Sequence, residues 1–155
     1  MSVKFLLDTN IISESIKLQP SDIFLVHFRQ NLEESAIASV TWHELLYGLY
    51  RLPESRRKRT LSDYLAQVIQ DKTLILPYCQ TAAKWFAAQR ARLTALGRMP
   101  SYPDGQIAAI AKVNNLILVT RNVCSIKLTQ TRTYPDIDVY FLLRPGLSAV
   151  PRPQV

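Results

Sequence analysis

FLLDTNIISE, residues Phe5–Glu14, sets an apolar run directly against an acid, a hydroxyl and an amide, with no glycine or proline between them. Val3 to Leu7 reads as a buried strand, and Asn10 to Ile16 as a short helix that begins after an Asp8-Thr9 turn. A carboxylate in that position has two readings. Asp8 can cap the helix, since an aspartate oxygen accepts a hydrogen bond from an otherwise unpaired amide of the first turn. Alternatively it is held at the end of a strand to do chemistry.

Working outward, strand and helix patterns alternate. IFLVHFRQNL predicts a second helix after the Pro20-Ser21 break, Ala36 to Val40 a second strand, and TWHELLYGLYRL a third helix that Thr41 caps and Pro53 ends. ESRRKRTLSDYLAQVIQ returns to helical spacing, with Leu61, Tyr64, Leu65, Val68 and Ile69 on one face. KTLILPY is a third strand. Thr81 to Leu96 is a long helix stopped by Gly97, and PDGQIAAIAKVNN a helix with proline in its first turn. Leu116 to Thr120 gives a fourth strand and Ile137 to Leu143 a fifth. This alternation predicts an α/β fold, an α/β/α sandwich around a mostly parallel sheet of about four to five strands, formed by residues 1–143. Residues 144–155 read as a loosely ordered C-terminal tail.

Composition narrows the possibilities. A domain of 155 residues buries roughly 70% of its unfolded surface and needs neither disulfide nor structural metal to fold. Cys79 and Cys124 lie 45 positions apart with no Cys or His at ligand spacing, which argues against a zinc site and for a reducing compartment. No apolar stretch approaches the ~18 residues of a membrane span and the N-terminus lacks a signal-peptide pattern, so a cytoplasmic protein is expected. The net charge of +7, from 19 Lys and Arg against 12 Asp and Glu, favours a polyanionic partner.

In a parallel sheet of this kind, ligands bind beyond the carboxyl ends of the strands. Asp8 follows the first strand, Asn122 the fourth, Asp104 starts the helix leading into the fourth, and Glu44 sits early in the helix after the second. Asp104 has a structural reading too, as an acid favoured by the dipole at a helix start. Glu44 is flanked by Trp42, Leu45, Leu46, Leu49 and Tyr50, where a half-buried carboxylate is costly without a cation. Three carboxylates at one mouth repel each other unless a divalent ion neutralises them, and hard oxygen donors suit Mg²⁺ or Mn²⁺. Such an ion can polarise a phosphate, ready a water for attack at neutral pH and stabilise the leaving oxygen. Phosphodiester hydrolysis is the chemistry implied.

At these residues the chain resembles the PIN-domain ribonucleases, and specifically the VapC toxins of bacterial type II toxin–antitoxin systems. LLDTNIISE resembles the first motif of that family, SVTWHELLYGL the second, PDGQIAAIA the third and LILVTRN the fourth. The separations also fit, with 36 residues from Asp8 to Glu44, 60 from Glu44 to Asp104 and 18 from Asp104 to Asn122. The resemblance implies that Asp8 and Asp104 are the principal Mg²⁺ ligands and that Glu44 completes the acidic cluster and orients the attacking water. It also implies that Thr9, Asn10 and Thr120 support the site and that Asn122 takes the fourth polar position. As a neutral amide, Asn122 cannot act as a base. Many relatives continue the fourth motif as T-R-N-x-x-D-F, whereas here TRNVCSIK places Ser125 and Ile126 at the last two positions, so a fourth carboxylate is missing. Asp136 and Asp138 read as turn and strand-surface residues.

The resemblance further implies a VapB-like antitoxin that blocks the cleft, a homodimer, and structured RNA such as transfer or ribosomal RNA as substrate. Arg56, Arg57, Lys58 and Arg59 read either as the solvated start of a helix or as a track for the RNA backbone, which Arg90, Arg92 and Arg98 around the end of the long helix could extend. The apolar face between Tyr47 and Leu65 is a candidate dimer surface. His43 adjoins Glu44 but points about 100° away on a helix, and His27 reads as a surface residue. Two alternatives remain beside the toxin: a PIN-fold RNA-binding module without cleavage, which Asn122 and Ser125 favour, and a PIN nuclease of RNA processing.

Overall fold

The computed structural model describes residues 2–99, 101–121 and 139–141. Five strands form one sheet, β1 (Phe5–Leu7), β2 (Ser35–Ala38), β3 (Leu74–Leu76), β4 (Ile117–Thr120) and β5 (Val139–Phe141). Their order is β3-β2-β1-β4-β5, and every pair is parallel. Parallel neighbours require crossovers, and helices supply them. α1 (Thr9–Ser15) and α2 (Asp22–Asn31) join β1 to β2, α3 (Ser39–Tyr50) and α4 (Arg56–Tyr64) join β2 to β3, and α5 (Gln80–Ala95) and α6 (Tyr102–Val113) join β3 to β4.

Side chains of the central strands alternate between two cores. Leu6, Ala36, Ala38 and Leu118 pack with Phe86 of α5 and Ile107 and Ile110 of α6. Leu7, Ile37 and Val119 face the opposite way, into Ile11, Ile12, Phe24, Phe28, Leu45 and Leu49 of α1, α2 and α3. Helices thus cover both faces, which is why the strands read as unbroken apolar runs rather than alternating ones. Truncating Leu6 or Ile37, both fully buried, to Ala would cost about 2–5 kcal/mol.

The expected α/β/α sandwich is the observed one, with several boundaries moved. β2 ends at Ala38, and α3 begins at Ser39 rather than after Thr41. Thr41 caps nothing; it is fully buried in the first turn, and its hydroxyl finds no partner among the described residues. The expected helix after Pro53 is α4 continued by a π-helical stretch, Leu65–Gln70. Its apolar face lies as read, with Leu61, Tyr64, Leu65, Val68 and Ile69 against the second core. That packing removes Leu65, 2% exposed, from the candidate dimer surface and leaves Tyr47 and Tyr50 as its exposed residues. Gly97 ends α5 in the left-handed conformation (φ +68°), the geometry that favours glycine there. The C-terminal tail lies outside the described residues.

The strand order fixes where a ligand can bind. From β1 the chain first builds outward through β2 and β3, then returns to add β4 on the other side of β1. The reversal opens a crevice at the carboxyl ends of β1 and β4. Asp8 is the residue immediately after β1.

Candidate active site

Both oxygens of Asp8 are engaged, and only one of them in capping. It is the N-cap of α1, with Oδ1 accepting the Thr9 N–H at 2.7 Å. Oδ2 accepts the Thr120 hydroxyl at 2.7 Å and the Asn10 side-chain amide at 2.6 Å. The same amide nitrogen donates to the Thr120 hydroxyl oxygen at 3.0 Å, and the Asn10 carbonyl oxygen accepts the Arg121 N–H at 2.8 Å. Asp8, Asn10, Thr120 and Arg121 therefore lock the start of α1 to the end of β4. A carboxylate fixed by three donors, and only 9% exposed, loses almost no rotamer freedom when it engages a ligand.

Glu44 reaches this cluster from the sixth residue of α3, where the Thr9 hydroxyl donates to its Oε2. Asp104 lies in the first turn of α6, beneath a cap in which the Ser101 hydroxyl oxygen accepts the Asp104 N–H at 3.2 Å. Burial pushes the Asp8 carboxyl above its ordinary value, and the Thr120 hydroxyl and Thr9 amide oppose that rise. The charges of Asp104 and Glu44 push it up further. Asp104 and Glu44 thus both lie close enough to Asp8 for their charges to act on it.

Sequence reading missed one element here. Glu14, 9% exposed, pairs with Lys17 at 2.6 Å and with the Arg121 guanidinium. The Lys17 hydrogen bond in particular holds its carboxyl below the usual range, although burial opposes this. The signal was helical spacing: Glu14 is four residues after Asn10 and so shares the face that meets β4.

The basic cluster stands elsewhere. α3 starts at the carboxyl edge of the sheet, and its 12 residues carry the chain about 18 Å before the turn into α4. Arg56, Arg57 and Arg59 are exposed in the first turns of α4, and Lys58 pairs with Glu54 at 2.5 Å. Cations at a helix N-terminus oppose its dipole, so this placement does not serve helix stability. His43 and His27 are exposed, as read, and His43 stacks on Tyr47 with ring centroids 6.3 Å apart. Asn122, Cys124, Ser125, Ile126, Asp136 and Asp138 lie outside the described residues.

The donor set accommodates a hydrated hard cation. Among the described residues no three His, Cys, Asp or Glu side chains form a cage for a metal by themselves. Mg²⁺ rarely needs one, because it retains several waters and is held by one or two carboxylates together with substrate phosphate. Asp8 spends three hydrogen bonds of roughly four lone-pair positions, which leaves one for such an ion.

Comparison with known proteins gives this arrangement its class. The PIN domain model matches residues 5–123. Ribonuclease VapC2 of Haemophilus influenzae is 35% identical over 123 residues, 78% of this chain and 88% of that protein. A tRNA(fMet)-specific endonuclease VapC of Shigella flexneri is 34% identical over 122 residues, 77% of this chain and 87% of that one. Among solved structures, DNA-bound VapBC from Salmonella typhimurium superposes with a TM-score of 0.74 at 29% identity, covering 90% of this chain and 98% of that chain. The chain belongs to the PIN-domain family and, within it, to the VapC ribonucleases. PIN-domain nucleases generally depend on a divalent metal.

Proposed function

We propose that the chain is a Mg²⁺-dependent endoribonuclease, the VapC-like toxin of a toxin–antitoxin pair, with Asp8, Glu44, Asp104 and Asn122 as its catalytic residues. The observation that carries this reading is the buried, triply hydrogen-bonded Asp8 at the sheet's reversal point, facing the charges of Glu44 and Asp104. Identity of 34–35% to a ribonuclease VapC and a tRNA-specific VapC endonuclease supports the reaction and makes tRNA the leading substrate class, with rRNA the other. Structural likeness to VapBC complexes supports a VapB-like antitoxin as the neutralising partner. The absence, among the described residues, of any helix long and apolar enough to cross a membrane is compatible with work in the cytoplasm.

Asp8, Asp104 and Glu44 would hold Mg²⁺, with Mn²⁺ an alternative; the ion supplies charge neutralisation and polarises the phosphate. The rest is performed by the chain. Thr9, Asn10 and Thr120 keep Asp8 and Glu44 oriented, Glu44 aligns the attacking water, and Asn122 offers a neutral amide to the water or phosphate. Attack forms a new P–O bond and breaks the bond from phosphorus to O3′, leaving a 5′-phosphate and a 3′-hydroxyl. Arg56, Arg57, Lys58 and Arg59 would take a distant part of a large RNA by its backbone. Tyr47 and Tyr50, 57% and 69% exposed, are candidates for a homodimer contact.

The test is cleavage of purified total RNA with Mg²⁺, Mn²⁺ or EDTA, beside Asp8→Ala and Asp104→Ala. Discrete metal-dependent fragments with 5′-phosphate ends, absent from both variants, are the expected result. Ser125 in place of a fourth acid favours the alternative of an RNA-binding module without cleavage. RNA binding without turnover under every metal condition would decide for that alternative.

A further inference from the structure

A concavity of about 580 Å³ lies between α5 and the start of α6. Tyr78, Ala83, Phe86, Arg90, Met99 and Tyr102 contribute to its walls. Arg90 dominates its electrostatics. Its guanidinium carbon lies 3.6 Å from the centroid of the Tyr102 ring, and one terminal nitrogen is 3.8 Å from the Met99 sulfur. Among the described residues Arg90 forms no ion pair with a carboxylate.

The stacking partner is itself anchored. Tyr102 meets Phe86 edge-on, with centroids 6.1 Å apart at 82°, and Phe86 is 3% exposed and seated against Gly105. A guanidinium stacked on a ring loses rotamer freedom and keeps its N–H donors in the ring-parallel plane; one terminal nitrogen of Arg90 donates weakly to the Met99 sulfur, and the remaining N–H groups are those a phosphate's oxygens would meet. Position supplies the second argument. Tyr102 precedes Asp104 by two residues in the first turn of α6, and Tyr78 follows β3, its N–H donating to the Ser39 hydroxyl at the start of α3. The concavity therefore opens on the same rim of the sheet as Asp8. Its floor of Ala83, Ala87 and Phe86 is apolar and suits a ribose or base.

We infer that Arg90, held flat on Tyr102, is a phosphate-binding subsite for the RNA strand flanking the scissile bond. The inference rests on the ribonuclease reading, and its test separates the two. The probe is a short fluorescent oligouridylate bound in EDTA across a potassium chloride series, with cleavage of total RNA followed in parallel. Arg90→Ala should weaken binding about 5–20-fold and flatten the slope of log affinity against log salt by about 0.7, the loss of one single-strand phosphate contact. Arg90→Lys should restore the slope with only part of the affinity, Tyr102→Phe should behave as wild type, and Tyr102→Ala should resemble Arg90→Ala. Unchanged affinity and slope in an Arg90→Ala protein that melts like wild type would overturn the subsite and leave the nuclease standing. A selective loss of antitoxin binding in Arg90→Ala would overturn it too, by assigning the groove to a protein segment. Failure of the wild type to bind or cut any RNA would remove the nuclease reading and the subsite together.

Discussion

Asp8 caps a helix and, in the proposed site, serves a crevice as an acid, and the two duties would use different atoms. Oδ1 satisfies the backbone, while Oδ2 is oriented by Thr120 and Asn10. The strain falls on charge rather than on geometry. The Asp8 carboxyl is raised by burial and then by Asp104 and Glu44, so the folded protein binds that proton more tightly than the unfolded chain. Stability from this group therefore falls as pH rises from the ordinary value of 3.8 through the folded value. Glu44→Gln keeps an acceptor for the Thr9 hydroxyl but deletes a charge. In EDTA at neutral pH this variant should be more stable than wild type by about 0.5 kcal/mol, while with Mg²⁺ its cleavage rate should fall at least about 100-fold below wild type. Calorimetry with and without Mg²⁺ checks the first half, since the ion should raise the wild-type midpoint more than the variant's.

Glu14 has the opposite sign. Its carboxyl is held below the ordinary value of 4.5, chiefly by Lys17, so its contribution is present above that pH and is lost as pH falls through the lower folded value. Glu14→Gln should cost about 1 kcal/mol at pH 7, between the worth of exposed and buried pairs, and the cost should vanish in acid. Urea melts of both proteins over a pH series would show it. A deficit that persisted unchanged at low pH would mean that packing, not charge, is what Glu14 supplies.

At the scale of elements, the local signals that proved readable were those backed by burial. The apolar triplet Phe5–Leu7 and the run before Thr120 are strands because both faces of the sheet are covered. The start of α3 was misread because Thr41, at the head of the helical pattern, has a hydroxyl suited to an N-cap. Tertiary structure overrides that pattern: the helix starts earlier, Thr41 is buried, and Glu44 is released to meet Thr9. Lone side-chain partnerships such as Arg90 with Tyr102 carried no sequence signal, since they depend on how α5 lies against α6. One residue sets that approach. A Cβ on Gly105 would collide with the Phe86 ring, so Gly105→Ala should destabilise the protein by about 1–3 kcal/mol, lowering its melting temperature by several degrees. Because Asp104 is the preceding residue, cleavage should suffer as well, and Phe86→Leu in the same chain should recover part of both. No change in melting temperature would show that the two helices separate freely.

Across the whole molecule, fold class was legible from alternation alone, because three helical crossovers between short apolar runs leave few topologies other than a covered parallel sheet. The acidic cluster was legible from the rule that such sheets bind ligands at their carboxyl ends. The separation of the basic turn from the crevice was not, since the direction in which α3 leaves the sheet is set by tertiary packing. If both proposals hold, the Arg56–Arg59 turn and Arg90 would address different stretches of a long substrate, one remote from the crevice and one nearer to it.

The central strand also sets a timetable. β1 is among the first segments translated, yet its partner β4 and the Thr120 hydroxyl that steadies Asp8 come 112 residues later. At ribosomal speeds of about 5–20 residues per second, the crevice cannot close until on the order of ten seconds after its key acid has been made. In the proposed toxin a nascent chain would thus lack a finished site, and the interval would give a partner time to be waiting when β4 emerges.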